Sequence, residues 1–565
     1  MKLNYGYYIE KVKYKINFAE ISIQIVDNRK MILDKLDWFI IVIYLSLLLS
    51  LSFYLSKFQK TKRDYFISNR NENSFFLAVS VIATQCSTSS ILGAPAFVAF
   101  SAGGGLVWLQ YELALPLSMI IIMIFLFPIF YKLKLISVYE YLEKRFDLKT
   151  RLLLSGLFQL VRAFATAVTV YGISIIVELV SGLNFFWSVL ILGLITVIYD
   201  FLGGIKAIVY SDVLQMTILT IVLMFIFFYF INTFGSLDSM INYIPTERLA
   251  TLNFSQHGFG DGADFAFWPM LIGGTFLYIS YYGCDQSQVQ REFCARSQND
   301  GQKVFFYNGL LRFPLVFLYC FIGVGLAAYA QVNTEFIKDI PLVNNQPNYN
   351  LVLPIFLIQN LPVGIVGLTL VALFSAAMSS IDSVINSLSA TTMEDFLKRF
   401  NKQKWSLKKE LLLSRIITLF WGIILIFLTF HVEDISTNVL VAINKVSSLI
   451  NGPVLGVFIV GLINNKANGT NICISFSLGI AVNIVCWIYF KEISWLWWNV
   501  IGFLVCFVFS TIFNIFLPTK KNTKKFNWSF LYLKSIGLNK TWIIRYVSLF
   551  FYFILIFSLL YKINN

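Results

Sequence analysis

Residues 376–390 read AAMSSIDSVINSLSA and close an apolar run that includes VGIVGLTLVALFSAAM. On a helix, Ala376, Ser379, Ser383 and Asn386 recur at three- and four-residue steps and share a face, with Ser380 and Ser387 on its border. Asp382 lies one turn after Ser379. Such a face has two uses. Small and hydroxyl side chains let membrane helices approach closely and bond across the interface. They also present oxygen atoms at a spacing suited to a small hard cation, which carbonyls and hydroxyls hold without burying much charge. Asp382 favours the second use. A carboxylate at membrane depth costs about 2.5–3.5 kcal/mol or more and marks an ion or proton pathway.

The elements that must position this face are membrane helices. The chain has 565 residues, 58% hydrophobic and 13% charged, with a mean hydropathy of +0.72. Soluble chains are about a quarter charged. Its apolar runs repeat at roughly 20 residues, the length that crosses a bilayer as a helix. Lipid offers backbone groups no partner outside their own helix. The chain therefore reads as an all-α polytopic membrane protein with about 14 transmembrane helices. They fall near 36–57, 75–100, 106–133, 151–180, 184–203, 211–233, 266–286, 304–331, 364–393, 410–430, 438–463, 471–490, 492–517 and 543–561. No segment reads as a separate soluble domain.

The net charge of +14 follows the membrane rather than nucleic acid. Basic residues gather in alternate loops: KFQKTKR (57–63), 132–151, KRFNKQKWSLKK (398–409) and 518–545 with PTKKNTKK. The loops between carry acids instead, Asp238, Glu247, Asp261 and Asp264 in one and Glu433 and Asp434 in another. Positive loops stay inside, so the basic loops are expected in the cytoplasm of a multi-pass cell-membrane protein. Residues 1–30 are basic yet would lie outside. They read as a disordered extension or a mis-called start, since Met31 precedes ILDKLDWFIIV like an ordinary initiator. They lack the apolar centre and cleavage site of a signal peptide.

Seven scattered cysteines form no CxxC pair, and the two histidines, His257 and His431, fall in expected outside loops. There is no HExxH, GxSxG or P-loop pattern. No enzyme, zinc site, organic cofactor or built-in ATP drive is expected, and no obligate protein partner is evident. The expected partners are a small solute, sodium and the lipid bilayer.

Several stretches carry a resemblance in a fixed order. They are ATQCSTSSILGAP (83–95), EYLEKRF (140–146), YDFLGGIKAIVYSDVLQ (199–215), YYGCDQSQVQREFCARSQNDGQK (281–303), the serine helix, and SLINGPVLGVFIVGLINNKAN (448–468). Together they resemble the sodium/solute symporter family, which includes the sodium–glucose, sodium–iodide, sialic acid and proline cotransporters, over roughly residues 35–490. The resemblance implies a LeuT-type five-plus-five inverted repeat. Residues 75–233 would form the first half and 266–463 the second. Residues 31–58 would be a peripheral first helix, and 471–561 three peripheral helices at the other end. Ion and solute sites would lie near the midplane, where the first helix of each half is broken. TQCSTSSILGAP and LIGGTFLYISYYG are the matching interruptions in the sequence.

By resemblance, the sodium site joins backbone carbonyls of Ala83 and Cys86 to the Ala376 carbonyl and the Ser379 and Ser380 hydroxyls. A second ion neighbourhood would hold Asp212, Asp382 and Ser383, with Asp382 where relatives often have a hydroxyl. Two carboxylates there bind a second cation or share a proton, or Asp212 merely caps its helix at a solvated edge. Solute positions match Gln85, Ser90, Glu112, Arg162, Tyr278, Tyr281, Arg312 and Asn444, with Lys445 beside the last. Glu112 and Tyr281 keep the sugar-site type and Arg312 keeps a lysine's charge. Tyr278 and Leu115 replace an amide and a serine, which departs from a sugar site. Arg162 lies about one turn before an arginine that binds the substrate carboxylate in the sialic acid branch. Arginine suits a carboxylate; the plainer use of Arg162 and Arg312 is pairing with Glu112, Glu178 or Asp200.

The function these residues imply is sodium-coupled import of a small polar organic solute, an anion or zwitterion, by alternating access. The rivals are a proton-coupled symporter using Asp382 or Asp212, a sodium-coupled sugar transporter, and a non-transporting sensor. The sensor would carry a signalling domain, and the chain ends at YKINN just past its last expected span.

Overall fold

A computed structural model describes residues 33–343, 346–401, 405–432, 439–464, 467–516 and 540–564. The 1–30 extension, Glu433, Asp434 and most of the basic 518–545 segment lie outside the described residues. Among the described residues the regular structure is helical apart from a two-residue antiparallel pairing of Leu342–Val343 with Gln346–Pro347 and two isolated bridges. The helices that matter below are α1 (Lys35–Ser56), α2 (Ser74–Gln85), α3 (Thr88–Phe100), α4 (Leu106–Lys132), α5 (Leu148–Ser181) and α6 (Phe185–Phe234). They continue with α7 (Gly274–Cys284), α8 (Gln286–Glu292), α9 (Gln298–Val332), α10 (Ile365–Phe400) and α11 (Leu407–Thr429). The last four are α12 (Val439–Ile463), α13 (Gly469–Tyr489), α14 (Trp497–Phe516) and α15 (Lys540–Asn564).

Among the described residues, eleven helices are long and apolar enough to cross a membrane, or twelve if the bent α2–α3 pair is one span. That count takes the 50-residue α6 as one helix, so it does not confirm the expected number of about 14. The spans expected at 184–203 and 211–233 are the two halves of α6, which at 50 residues is too long for one crossing and is kinked at Gly204, whose φ is 52°. A Cβ there would sit 2.7 Å from the Tyr65 ring, so only glycine serves both the backbone and the space. The span expected at 266–286 is helical without a break from 267 to 284, with a π-turn (Pro269–Gly273) that runs directly into α7.

Burial sorts the helices into layers. The apolar stretch of α10 is 89% buried, against 28% for α1 and 17% for α15. The serine helix is thus the centre of the bundle, and α1, α11, α13, α14 and α15 form an outer ring. Large side chains such as Phe39, Phe427 and Phe551 are exposed on that ring, which is where lipid accepts them.

Two interruptions lie against α10. Between α2 and α3 the chain bends by 60° at Cys86 and Ser87. Between α7 and α8 it breaks at Asp285, which is extended (φ −92°, ψ 124°) and caps α8 by accepting from the Ser287 amide. A helix that stops inside the bundle leaves its last carbonyls without intrahelical partners. These orphan oxygens are the raw material of the site.

Candidate ion and solute site

The ion cradle is assembled where α2 ends against the middle of α10. Ser379 Oγ lies 3.1 Å from the Ala83 carbonyl and 3.3 Å from the Ala376 carbonyl. Ser380 Oγ lies 3.1 Å from the Thr84 carbonyl and 3.2 Å from that of Ala376. All five α2 and α10 positions are buried, Ser380 least so. The five oxygens are neutral and convergent. Around a cation with ligands at about 2.4 Å, neighbouring octahedral oxygens lie about 3.4 Å apart, so the spacing suits a sodium-sized ion. Ala83, Ala376, Ser379 and Ser380 are brought together as the sequence implied. Ser380 meets the Thr84 carbonyl, and Cys86 sits in the bend itself with its amide bonded to Ile82.

One turn further along α10 the chemistry changes from neutral to charged. Asp212 on α6 is fully buried, not at a solvated edge. It accepts from Ser80 and lies 3.8 Å from Arg291 of α8. Arg291 also donates to Ser80 at 2.8 Å, to the Ser287 carbonyl and to Ser383. Ser383 joins the two regions: its hydroxyl is 3.0 Å from Thr84 Oγ1 and donates to Asp382 at 3.1 Å. Asp382 accepts from the Tyr199 hydroxyl. Next to Tyr199, Asp200 accepts from Asn386 at 3.3 Å. Among the described residues, Asp212 Oδ1 and Asp200 Oδ2 are buried without a hydrogen-bond partner.

A cavity of about 130 Å³ opens directly beside the cradle, and Thr84 and Ser380 line it. Of the eight expected solute residues, Gln85, Ser90, Arg162, Tyr278, Tyr281, Arg312 and Asn444 line its wall. Glu112 stands behind the wall and holds Arg312, with Oε2 2.8 Å from Nε and Oε1 3.1 Å from a terminal nitrogen. Tyr278 donates to the same carboxylate at 3.0 Å. Arg162 pairs with Asp285 at 2.6 Å and lies over the Tyr281 ring at 4.9 Å. The arginines thus use Glu112 and Asp285; neither takes Glu178 or Asp200 as its ion-pair partner. Lys445 faces Asp264 at 4.0 Å.

Sequence reasoning gave no role to Thr84, Tyr199, Asp285 or Arg291. Asp285 and Arg291 lay in the quoted stretch YYGCDQSQVQR, and their charges at a helix break were the available signal. Trp108 and Tyr111, also on the cavity wall, had no such signal, being two aromatics among many.

A broken helix whose free carbonyls face a hydroxyl-bearing central helix, beside a polar cavity inside a helical membrane bundle, defines an ion-coupled secondary transporter. The family described as "SSF: Sodium:solute symporter family" matches residues 65–477, and the chain belongs to it. It is a transporter and not an enzyme. Among its relatives are the sodium/sialic acid symporter NanT of Aliivibrio fischeri, 26% identical over 83% of this chain and 91% of that one. The sodium/sialic acid symporter SiaT of Proteus mirabilis is 28% identical over 85% of this chain and 95% of its own. The solved structure of a substrate-bound, outward-open Na+-coupled sialic acid symporter superposes with a TM-score of 0.77 at 25% identity. That likeness covers 86% of this chain and 99% of the other. The LeuT-type fold implied by the sequence is the fold of the protein.

Proposed function

We propose that this protein imports a small organic anion or zwitterion together with sodium, by alternating access across the cell membrane. The observation that carries the reading is the shared wall: Thr84 and Ser380 belong both to the ion cradle and to the cavity that holds two arginines. Sodium in the cradle would tie the end of α2 to α10 and so set the shape of the solute wall, which gives the two ligands a coupling free energy. The sialic acid symporters among the relatives take a carboxylate-bearing sugar, in line with the arginines here. Residues 75–233 and 266–463 are assigned as the two repeat halves, each with a helix interrupted near its start, at 86–87 and at 285. The basic loops are assigned to the cytoplasm by the positive-inside rule.

Asp382 supports a second, narrower reading. It is a fully buried carboxylate bonded to hydroxyls, with Arg291 committed to Asp212. Among the described residues it has no cation of its own, and with Asp212 and Ser383 beside it forms the candidate neighbourhood for a second cation or a proton.

The test is uptake into proteoliposomes under an imposed sodium gradient. Carboxylates should accumulate with inward sodium and not with potassium. Accumulation of a neutral sugar and of no carboxylate would replace the anion reading by the sugar reading. Accumulation driven by a pH gradient without sodium would replace the coupling ion.

A further inference from the structure

The two cavity arginines are held in unlike ways. Arg312 is gripped by both oxygens of Glu112, and Tyr278 closes the same carboxylate. Glu112 is wholly buried, and a buried, bidentate, fully bonded pair is hard to open because either charge alone would be stranded. Arg162 receives a single oxygen. Asp285 Oδ2 lies 2.7 Å from Nε and 2.6 Å from a terminal nitrogen. The other oxygen, Oδ1, is committed to the Ser287 amide at 2.8 Å and to the Ser287 hydroxyl. Both partners keep some access to solvent, 17% for Arg162 and 14% for Asp285. Arg312 and Glu112 are 10% and 0% exposed, so the Arg162–Asp285 pair is the less enclosed of the two and leaves less charge stranded when it parts.

We infer that Asp285 is a resident carboxylate that competes with the solute for Arg162, and so sets the affinity for anionic solutes. On binding, a solute carboxylate takes the Arg162 guanidinium in place of Asp285 Oδ2, while Oδ1 keeps capping α8. The cap explains how Asp285 can release the arginine without unravelling the helix break. Arg312 stays with Glu112 and shapes the wall beside it. Because Asp285 is the hinge residue between α7 and α8 and Arg162 is on α5, the exchange also loosens the broken helix from its neighbour. Asp285 is a positioning and specificity-determining residue, and this inference rests on the organic-anion reading above.

The experiment is calorimetric titration of the purified protein in sodium with three carboxylates of rising size: propionate, nicotinate and N-acetylneuraminate. Asp285→Asn keeps the capping oxygen, since asparagine caps as well as aspartate, and removes the competing charge. Asp285→Ser does the same with a different side chain. Both variants should bind the accepted carboxylate at least tenfold more tightly than wild type, and Arg162→Gln should lose it. In the double variant Arg162→Gln/Asp285→Asn the gain should vanish. A gain that persists without Arg162 would mean that Asp285 acts only through its general field, and would overturn the exchange. Unchanged or weaker binding by both Asp285 variants would overturn it as well. If none of the three binds wild type or either Asp285 variant, the organic-anion reading fails and takes this inference with it.

Discussion

Two stretches of α10, one turn apart, face the same pair of broken helices with opposite chemistry. At Ser379 and Ser380 every oxygen of the cradle is neutral, and the partners are the orphan carbonyls at the end of α2. At Asp382 and Ser383 the neighbours are charged: Asp212, Arg291 and Asp382 itself. A neutral oxygen cage holds a cation modestly and can release it, as a transport cycle needs. A buried ion pair is not easily parted, because losing either partner strands the other. The difference supports reading the first stretch as built for exchange, and the Asp212–Arg291 pair beside the second as holding α6, α8 and α10 in register around it.

If that contrast is right, the largest effect comes from the charged stretch. Arg291→Ala leaves Asp212 buried without its cation and should cost about 3–5 kcal/mol of stability, measured as a fall in unfolding midpoint or as loss of folded protein. A variant as stable as wild type would mean that the cluster is not a structural clamp. Next comes Asp382→Asn, which leaves the fold largely intact at a cost of about 1–3 kcal/mol for its altered hydroxyl partners. It should change the charge moved per solute, read as a reversal potential, or the pH dependence of transport. Wild-type coupling would leave Asp382 a structural residue and sharpen the contrast further.

Much of this was legible in the sequence, for identifiable reasons. The spans show because lipid forces long apolar runs, and the α10 face shows because hydroxyls at three- and four-residue steps stand out in such a run. The kink at Gly204 between the two halves of α6 did not show, because distant residues hold it. In the protein that kink is stabilised by Gln59 donating to the Gly203 carbonyl and Ser52 to that of Tyr199. The partners of the charged stretch were illegible for a different reason. Thr84 meets Ser383 across 299 residues of sequence, and no local spacing encodes such a meeting. Asp285 likewise had no readable role, because only the fold brings Arg162 against its second oxygen.

The central claim is that the neutral cradle binds sodium. The most direct measurement is the unfolding midpoint of the purified protein across sodium concentrations, with potassium and choline as controls, for wild type and Ser380→Ala. A ligand that binds only the folded state raises stability by about 2.7 kcal/mol at a hundredfold excess over its dissociation constant. Wild type should show a sodium-specific rise, and Ser380→Ala should lose it while keeping its midpoint in choline within about 1 kcal/mol of wild type. A rise of equal size in the variant, or none in wild type, would contradict the assignment of the cradle as the sodium site.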